Sequence, residues 1–121
     1  MSWEVEYTDE FERWWDGLTE VEQDHLDKVV GVLMLEGPLL KEPYSKPIKA
    51  SRHRPDMKEL RIKSKGDDIR VLYAFDPRRM AILLIGGNKT GQWEEFYDTN
   101  IPIADDLFDE HLRTITKERK R

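Results

Sequence analysis

The chain has 121 residues, no cysteine and a formal net charge of −5, with 38% hydrophobic and 37% charged residues. That length suits one core, so a single domain over residues 1–121 is expected, and four Trp, four Tyr and four Phe supply anchors that a disordered chain lacks. The missing cysteines exclude disulfides and thiolate chemistry. With no signal-like N-terminus, and with Met80–Ile85 as the longest apolar run, a cytoplasmic protein is expected.

Trp3, Val5 and Tyr7 alternate with Glu4 and Glu6, the pattern of a short half-buried strand. Thr8 can cap a short helix carrying Phe11, Trp14 and Trp15. Thr19-Glu20-Val21-Glu22 has the form of a capping box and opens a second helix, which Gly37-Pro38 ends. Residues 38–56 hold Pro38, Pro43, Pro47 and Pro55 and are expected to be irregular, with a few extended residues at Lys46 to Lys49. Three strands follow: Met57 to Lys63, Ile69 to Asp76 and Met80 to Gly86. The last is nearly all apolar and belongs in the sheet interior. Gly86 to Gly91 is expected to be a flexible exit turn; it lacks the spacing of a phosphate-binding loop. A final helix is expected from Ile103 to Glu118, with a frayed tail over Lys117 to Arg121. The order β-α-α-β-β-β-α gives an α+β domain: a small antiparallel sheet, two N-terminal helices packed on it and a C-terminal helix.

Charge is unevenly placed. Residues 1–36 hold eleven acids against Arg13 and Lys28, whereas residues 41–65 hold nine bases against Glu42, Asp56 and Glu59. A basic block in an acidic protein suggests an anion site, although charge blocks are often only solvated faces. Alternating strand direction brings Arg61, Arg70 and Lys89 to one edge of the sheet. Three cations repel unless acids or a bound anion offset them. Glu59 could offset one, a phosphate backbone all three, and Arg grips phosphate with two donors. Each cation could instead pair with a local acid such as Asp67 or Asp68. Tyr73 faces opposite to Arg70 and is expected in the core. Trp93, Phe96 and Tyr97 form an aromatic cluster near the cationic edge, where bases could stack. His25 and His111 read as packing or surface residues. His53, inside the basic block, could carry protons. No metal-ligand spacing is present, and no metal or cofactor is expected.

Lys58-Glu59-Leu60-Arg61, Ile69-Arg70-Val71-Leu72-Tyr73, the Pro77-Arg78-Arg79 turn and Gly87-Asn88-Lys89-Thr90-Gly91 resemble, in order and spacing, the phage-derived Gp49-like group of HigB toxins in the RelE/ParE superfamily. The resemblance spans nearly the whole chain. It implies a RelE-like fold and the toxin of a type II toxin–antitoxin pair. It also implies a metal-independent endoribonuclease that cuts mRNA on the ribosome, the ribose 2′-hydroxyl attacking the neighbouring phosphate to leave a cyclic phosphate. The implied partners are a helix-turn-helix, HigA-like antitoxin, the ribosome and mRNA. Carried over by position, Arg70 would hold the scissile phosphate. Arg61 and Lys58 would bind phosphate or assist proton transfer, Lys89 would supply the basic group after the last strand, and Tyr97 would stack or move protons. Lys49, Arg52, Arg54, Lys63 and Trp93 are the candidates for wider RNA contact. Thr90 stands where some relatives place an arginine, and the chain is longer than the smallest RelE toxins. Two alternatives keep the fold: a ParE-like poison of DNA gyrase, and an inactive interaction domain.

Overall fold

A computed structural model describes residues 2–119. Thr8 and Thr19 end the loops before the first two helices as the sequence predicts. The Thr8 hydroxyl accepts from Phe11 N at 3.0 Å and starts α1 (Asp9–Asp16). Thr19 and Glu22 bond reciprocally and start α2 (Glu20–Glu36). Before them lies β1 (Val5–Tyr7); after them come β2 (Ser45–Pro47), β3 (Met57–Ser64), β4 (Asp67–Phe75), β5 (Ala81–Asn88) and α3 (Trp93–Arg119).

The five strands form one sheet in the order β1-β5-β4-β3-β2. β3, β4 and β5 make the expected antiparallel meander, but β1 pairs with β5 in parallel, so the sheet is mixed. The two early helices force that direction. After crossing one face, the chain re-enters the sheet at the far edge, and β1 is left beside β5 running the same way.

Strand alternation divides the core into two layers. Leu60, Ile62, Ile69, Val71, Tyr73 and Leu83 pack with Phe11, Leu26 and Leu33 from α1 and α2. Met57, Leu72, Ala74, Ile82 and Leu84 pack on the other face with Ile101, Ala104 and Phe108 from α3. Tyr73 is fully buried, as expected, and its hydroxyl meets Ser45 Oγ at 2.6 Å. Burial pushes its pKa up to about 12.

The glycine segment differs from the sequence reading. Gly86 is in the strand, as expected for its last residue, but the strand continues through Gly87 and Asn88 where a flexible turn was expected. A bulge puts Leu72 opposite Ile85 but Tyr73 opposite Leu83, which leaves Leu84 as the extra residue. The Leu84 carbonyl is taken up by the Thr8 hydroxyl at 2.7 Å. Beyond the bulge, Gly86 faces α1 and Gly87 faces α3. A Cβ on Gly86 would lie 2.3 Å from the Trp14 ring, and one on Gly87 would lie 2.7 Å from Phe96. The glycines are there so that aromatic rings can rest directly on the strand backbone from both sides.

α3 also begins ten residues before the expected Ile103. Pro102 lies inside the helix, exposed to solvent. Burial of Phe96 and Ile101 holds the turns before it. Lys117 and Glu118 of the expected frayed tail are helical, whereas Lys120 and Arg121 lie outside the described residues. Among the described residues, no helix is long and apolar enough to cross a membrane.

Gly86→Ala should therefore lower stability by about 1–3 kcal/mol through overpacking against Trp14. Gly31→Ala, in the middle of α2 with open space around the new methyl, should raise it by about 0.5–1 kcal/mol. Urea denaturation of the two variants beside the parent checks both signs.

Candidate functional site

The register places Arg61 opposite Arg70 and Glu59 opposite Leu72, so Glu59, Arg61 and Arg70 share the α3 face of the sheet. Arg70 pairs in turn with Gly87, two residues before Lys89. The Phe96 ring against Gly87 fixes the first turns of α3 and sets Tyr97 over this group.

One carboxylate sits at the centre. Glu59 is buried, with Oε1 3.8 Å from Arg70 Nε and Oε2 3.9 Å from Arg61 Nε. The Tyr97 hydroxyl donates to Glu59 Oε1 at 2.6 Å and accepts from Lys89 Nζ at 3.4 Å. Lys89 Nζ also lies 3.5 Å from the centre of the Trp93 ring, a close cation–π contact. Burial lowers the pKa of Lys89, and the Arg70 charge adds to the effect. Burial, together with the adjacent Glu59, pushes the Tyr97 hydroxyl up to about 12, so it stays protonated at neutral pH.

Arg70 is only 4% exposed, contrary to the expectation of a substrate-facing side chain. Its Nη1 donates to the Ile69 carbonyl at 3.0 Å. Its Nε has no hydrogen-bond partner among the described residues, because 3.8 Å to Glu59 is too long for a bond. An unpartnered guanidinium N–H costs stability, and a ligand oxygen would satisfy it. Arg61, with 30% of its side chain exposed, is the open flank of the cluster and also lies 3.8 Å from Glu42.

The other expected site residues are dispersed. Lys58 is on β3 but on the α2 face, where Nζ donates to the Pro38 carbonyl at 3.1 Å. It lies one residue out of phase with Glu59 and Arg61, so the pleat turns it away from them. Arg52 is held by Asp106 at 3.1 Å and by Asp105 and Asp109, all on α3. His53 Nε2 meets Asp109 Oδ1 at 2.7 Å. Arg54 donates to the Lys49 carbonyl at 3.0 Å. The basic segment 49–54 is thus fastened to the acidic side of α3, away from the cluster. Lys63 is exposed and pairs with Asp68 at 2.9 Å, which holds that carboxyl below its usual range. Thr90 accepts from Asp68 N at 2.7 Å, and Lys89 N donates to the Asp68 carbonyl at 2.9 Å. The segment after β5 is therefore pinned to the start of β4, which turns Lys89 inward. Glu59 has more weight in the site than the sequence pattern gives it; its place two residues before Arg61, on the same face of β3, is the signal for it.

The mixed five-stranded sheet with paired helices on one face is a RelE-like fold. A chain of the archaeal RelE–RelB complex from Pyrococcus horikoshii superposes with a TM-score of 0.56 at 16% identity, over 76% of this chain and 99% of that one. The family model for phage-derived Gp49-like proteins (DUF891) matches residues 13–109, and the chain belongs to that family. Two relatives from Mycobacterium tuberculosis carry toxin names. The protein named HigB2 is 42% identical over 97% of this chain, and HigB3 is 45% identical over 78% of this chain and 80% of its own length. The chain spans 62% of the length of HigB2.

Replacing Glu59 by Leu leaves Arg70, Arg61 and Lys89 without their shared counter-charge. Stability should fall by about 3–5 kcal/mol, the usual cost of stranding a buried charge. Glu59→Gln removes the same charge but keeps an acceptor for Tyr97, so it should cost less than Leu by about 1–2 kcal/mol, the worth of the hydrogen bond it retains. Denaturant midpoints of the two variants test the order.

Proposed function

We propose that this protein is the toxin of a toxin–antitoxin pair and acts as a metal-independent endoribonuclease on mRNA, at the cluster formed by Glu59, Arg61, Arg70, Lys89 and Tyr97. The observation that carries this reading is the buried Arg70 Nε, a donor without an acceptor, set beside two further cations and a carboxylate. The toxin names of the HigB2 and HigB3 relatives agree with it.

The chemistry follows from the groups present. A phosphodiester entering from the Arg61 flank gives its oxygens to Arg61 and Arg70, which offset the charge that develops at phosphorus. Glu59 accepts the proton of the ribose 2′-hydroxyl, whose oxygen bonds to phosphorus as the bond to the 5′-oxygen breaks. Lys89, its pKa already lowered by burial, delivers a proton to that leaving oxygen. The products are a 2′,3′-cyclic phosphate and a free 5′-hydroxyl. Tyr97, un-ionised and bonded to Glu59, orients the base and links it to Lys89. Trp93, 55% exposed above Lys89, is the side chain that moves aside to admit the phosphate and offers a ring for an adjacent nucleobase. An acidic chain of net charge −5 repels free RNA, which favours mRNA presented on the ribosome. A small antitoxin is the expected partner. In the Pyrococcus horikoshii structure a RelE chain is bound to RelB, and the family resemblance points to a helix-turn-helix protein of the HigA kind.

New RNA 5′ ends mapped after brief induction in a bacterial host should cluster inside translated frames. They should vanish with Arg70→Ala and fall steeply with Tyr97→Phe, thermal melts confirming that each variant is folded. Intact messages with growth arrest would favour a gyrase poison, and intact messages with normal growth an inactive scaffold. The rate of cleavage should also fall as pH rises through the lowered pKa of Lys89, since only the protonated amine donates. In Lys89→Arg that alkaline limb should move upward, which a pH–rate profile reads directly.

A further inference from the structure

A second groove lies beside the cluster, between α2 and the part of β3 that β2 does not cover. β2 pairs only with Lys58 to Leu60, and past the bond from Arg61 N to the Tyr44 carbonyl β3 has no strand partner on that side. The groove there is lined by Lys28, His25, Arg61, Lys63 and Tyr44, and by no carboxylate. Four other surface grooves each carry at least two: Glu12, Asp16 and Asp27 in the one between β1, α1 and α2, for instance. In a chain with 25 acids and 20 bases, a cationic groove free of acids runs against the average composition. Arg61 lines this groove and also flanks Glu59, so it joins the groove to the cluster around the edge of β3.

Its parts fit an extended polyanion. Lys28, the only base among the residues of α2, is exposed and forms no ion pair among the described residues. His25 is fixed by a 2.9 Å contact between Nδ1 and Ser64 Oγ. Lys63 shares Asp68, so its charge is partly spent, and Lys28 is the cation with the least competition. Tyr44 is 41% exposed on the rim, and its carbonyl accepts from Arg61 N at 2.9 Å. The ring is thus held by backbone beside the cationic track. Cations in a row with an anchored aromatic at the side is how single strands are bound without reading a sequence.

We propose that this groove carries the phosphate backbone of the RNA strand flanking the scissile bond, with Lys28 on a flanking phosphate and a nucleobase against Tyr44. This rests on the ribonuclease reading above and adds to it a second, non-catalytic subsite and the direction in which the strand leaves the cluster. Neither Lys28 nor Tyr44 touches the reacting phosphate, so both act on binding and not on the chemical step.

Fluorescence anisotropy with a labelled single-stranded RNA of about twelve nucleotides, beside a trinucleotide, tests it on the full chain. Lys28→Gln should weaken the longer RNA about threefold to fivefold. It should also flatten the slope of log affinity against log salt by about 0.7, the effect of one lost phosphate contact. Tyr44→Ala should weaken the longer RNA about tenfold. Both should bind the trinucleotide as the parent does, and Lys28→Arg should restore the parent's affinity. Lys117→Gln, on the far end of α3, is the charge control. If Lys28→Gln and Tyr44→Ala bind the longer RNA like the parent while Arg70→Ala weakens it, the groove proposal fails and the ribonuclease site stands. An equal loss in Lys117→Gln, or displacement of RNA by polyglutamate as strong as by unlabelled RNA, would also overturn it. If the parent binds neither RNA, the groove proposal fails, while the ribonuclease reading still rests on the RNA 5′ ends mapped in cells.

Discussion

The burial of Glu59 between Arg61 and Arg70 is the constraint on which the α3 face of this molecule depends. Three cations converge where β3, β4 and the end of β5 meet. In a partly dry site their mutual repulsion is strong. One carboxylate within 4 Å of both arginines, bonded to a tyrosine that also reaches Lys89, makes the arrangement tolerable. It does not satisfy it fully, since Arg70 Nε keeps an open valence. In the ribonuclease proposed above an anion would fill that shortfall, which without it leaves a weak point in the fold.

The backbone supports this through two glycines. The bulge at Leu84 shifts the alternation of β5 by one residue, so Gly86 meets Trp14 and Gly87 meets Phe96. The strand is thinnest where the site is built, and helices close on it from both faces. Phe96 on Gly87 is what carries Tyr97 and Trp93 to Glu59 and Lys89. The loop after β5, tied to Asp68 through Thr90 and the Lys89 amide, removes the remaining freedom. Thr90 thus has a structural task, its hydroxyl accepting from the Asp68 amide.

Charge distribution follows the same division. The acids of α3 hold segment 49–54 through Arg52 and His53, so much of the basic block in the sequence works as an internal fastener. The cations left for a ligand are fewer and lie on β3, β4, the end of β5 and α2.

The sequence by itself determined the order of elements, both N-terminal caps, the burial of Tyr73 and the meeting of Arg61, Arg70 and Lys89. These follow from short-range chemistry: hydroxyls before helices, period-two alternation, and strands that reverse direction at each turn. It also carried the family, through motifs that keep their spacing. Only the tertiary structure decided that β1 lies parallel to β5, that α3 starts at Trp93, that the last strand runs on through Gly87, that Lys58 faces away from the site and that Glu59 is its centre. Each of those depends on a partner distant in the chain. Pro102 ends a helix on local propensity and is overruled by the burial of Phe96 and Ile101. A glycine pair suggests freedom until two aromatic rings occupy the space it leaves. A glutamate in a basic strand looks like a minor offset until the sheet places it between two arginines and a tyrosine.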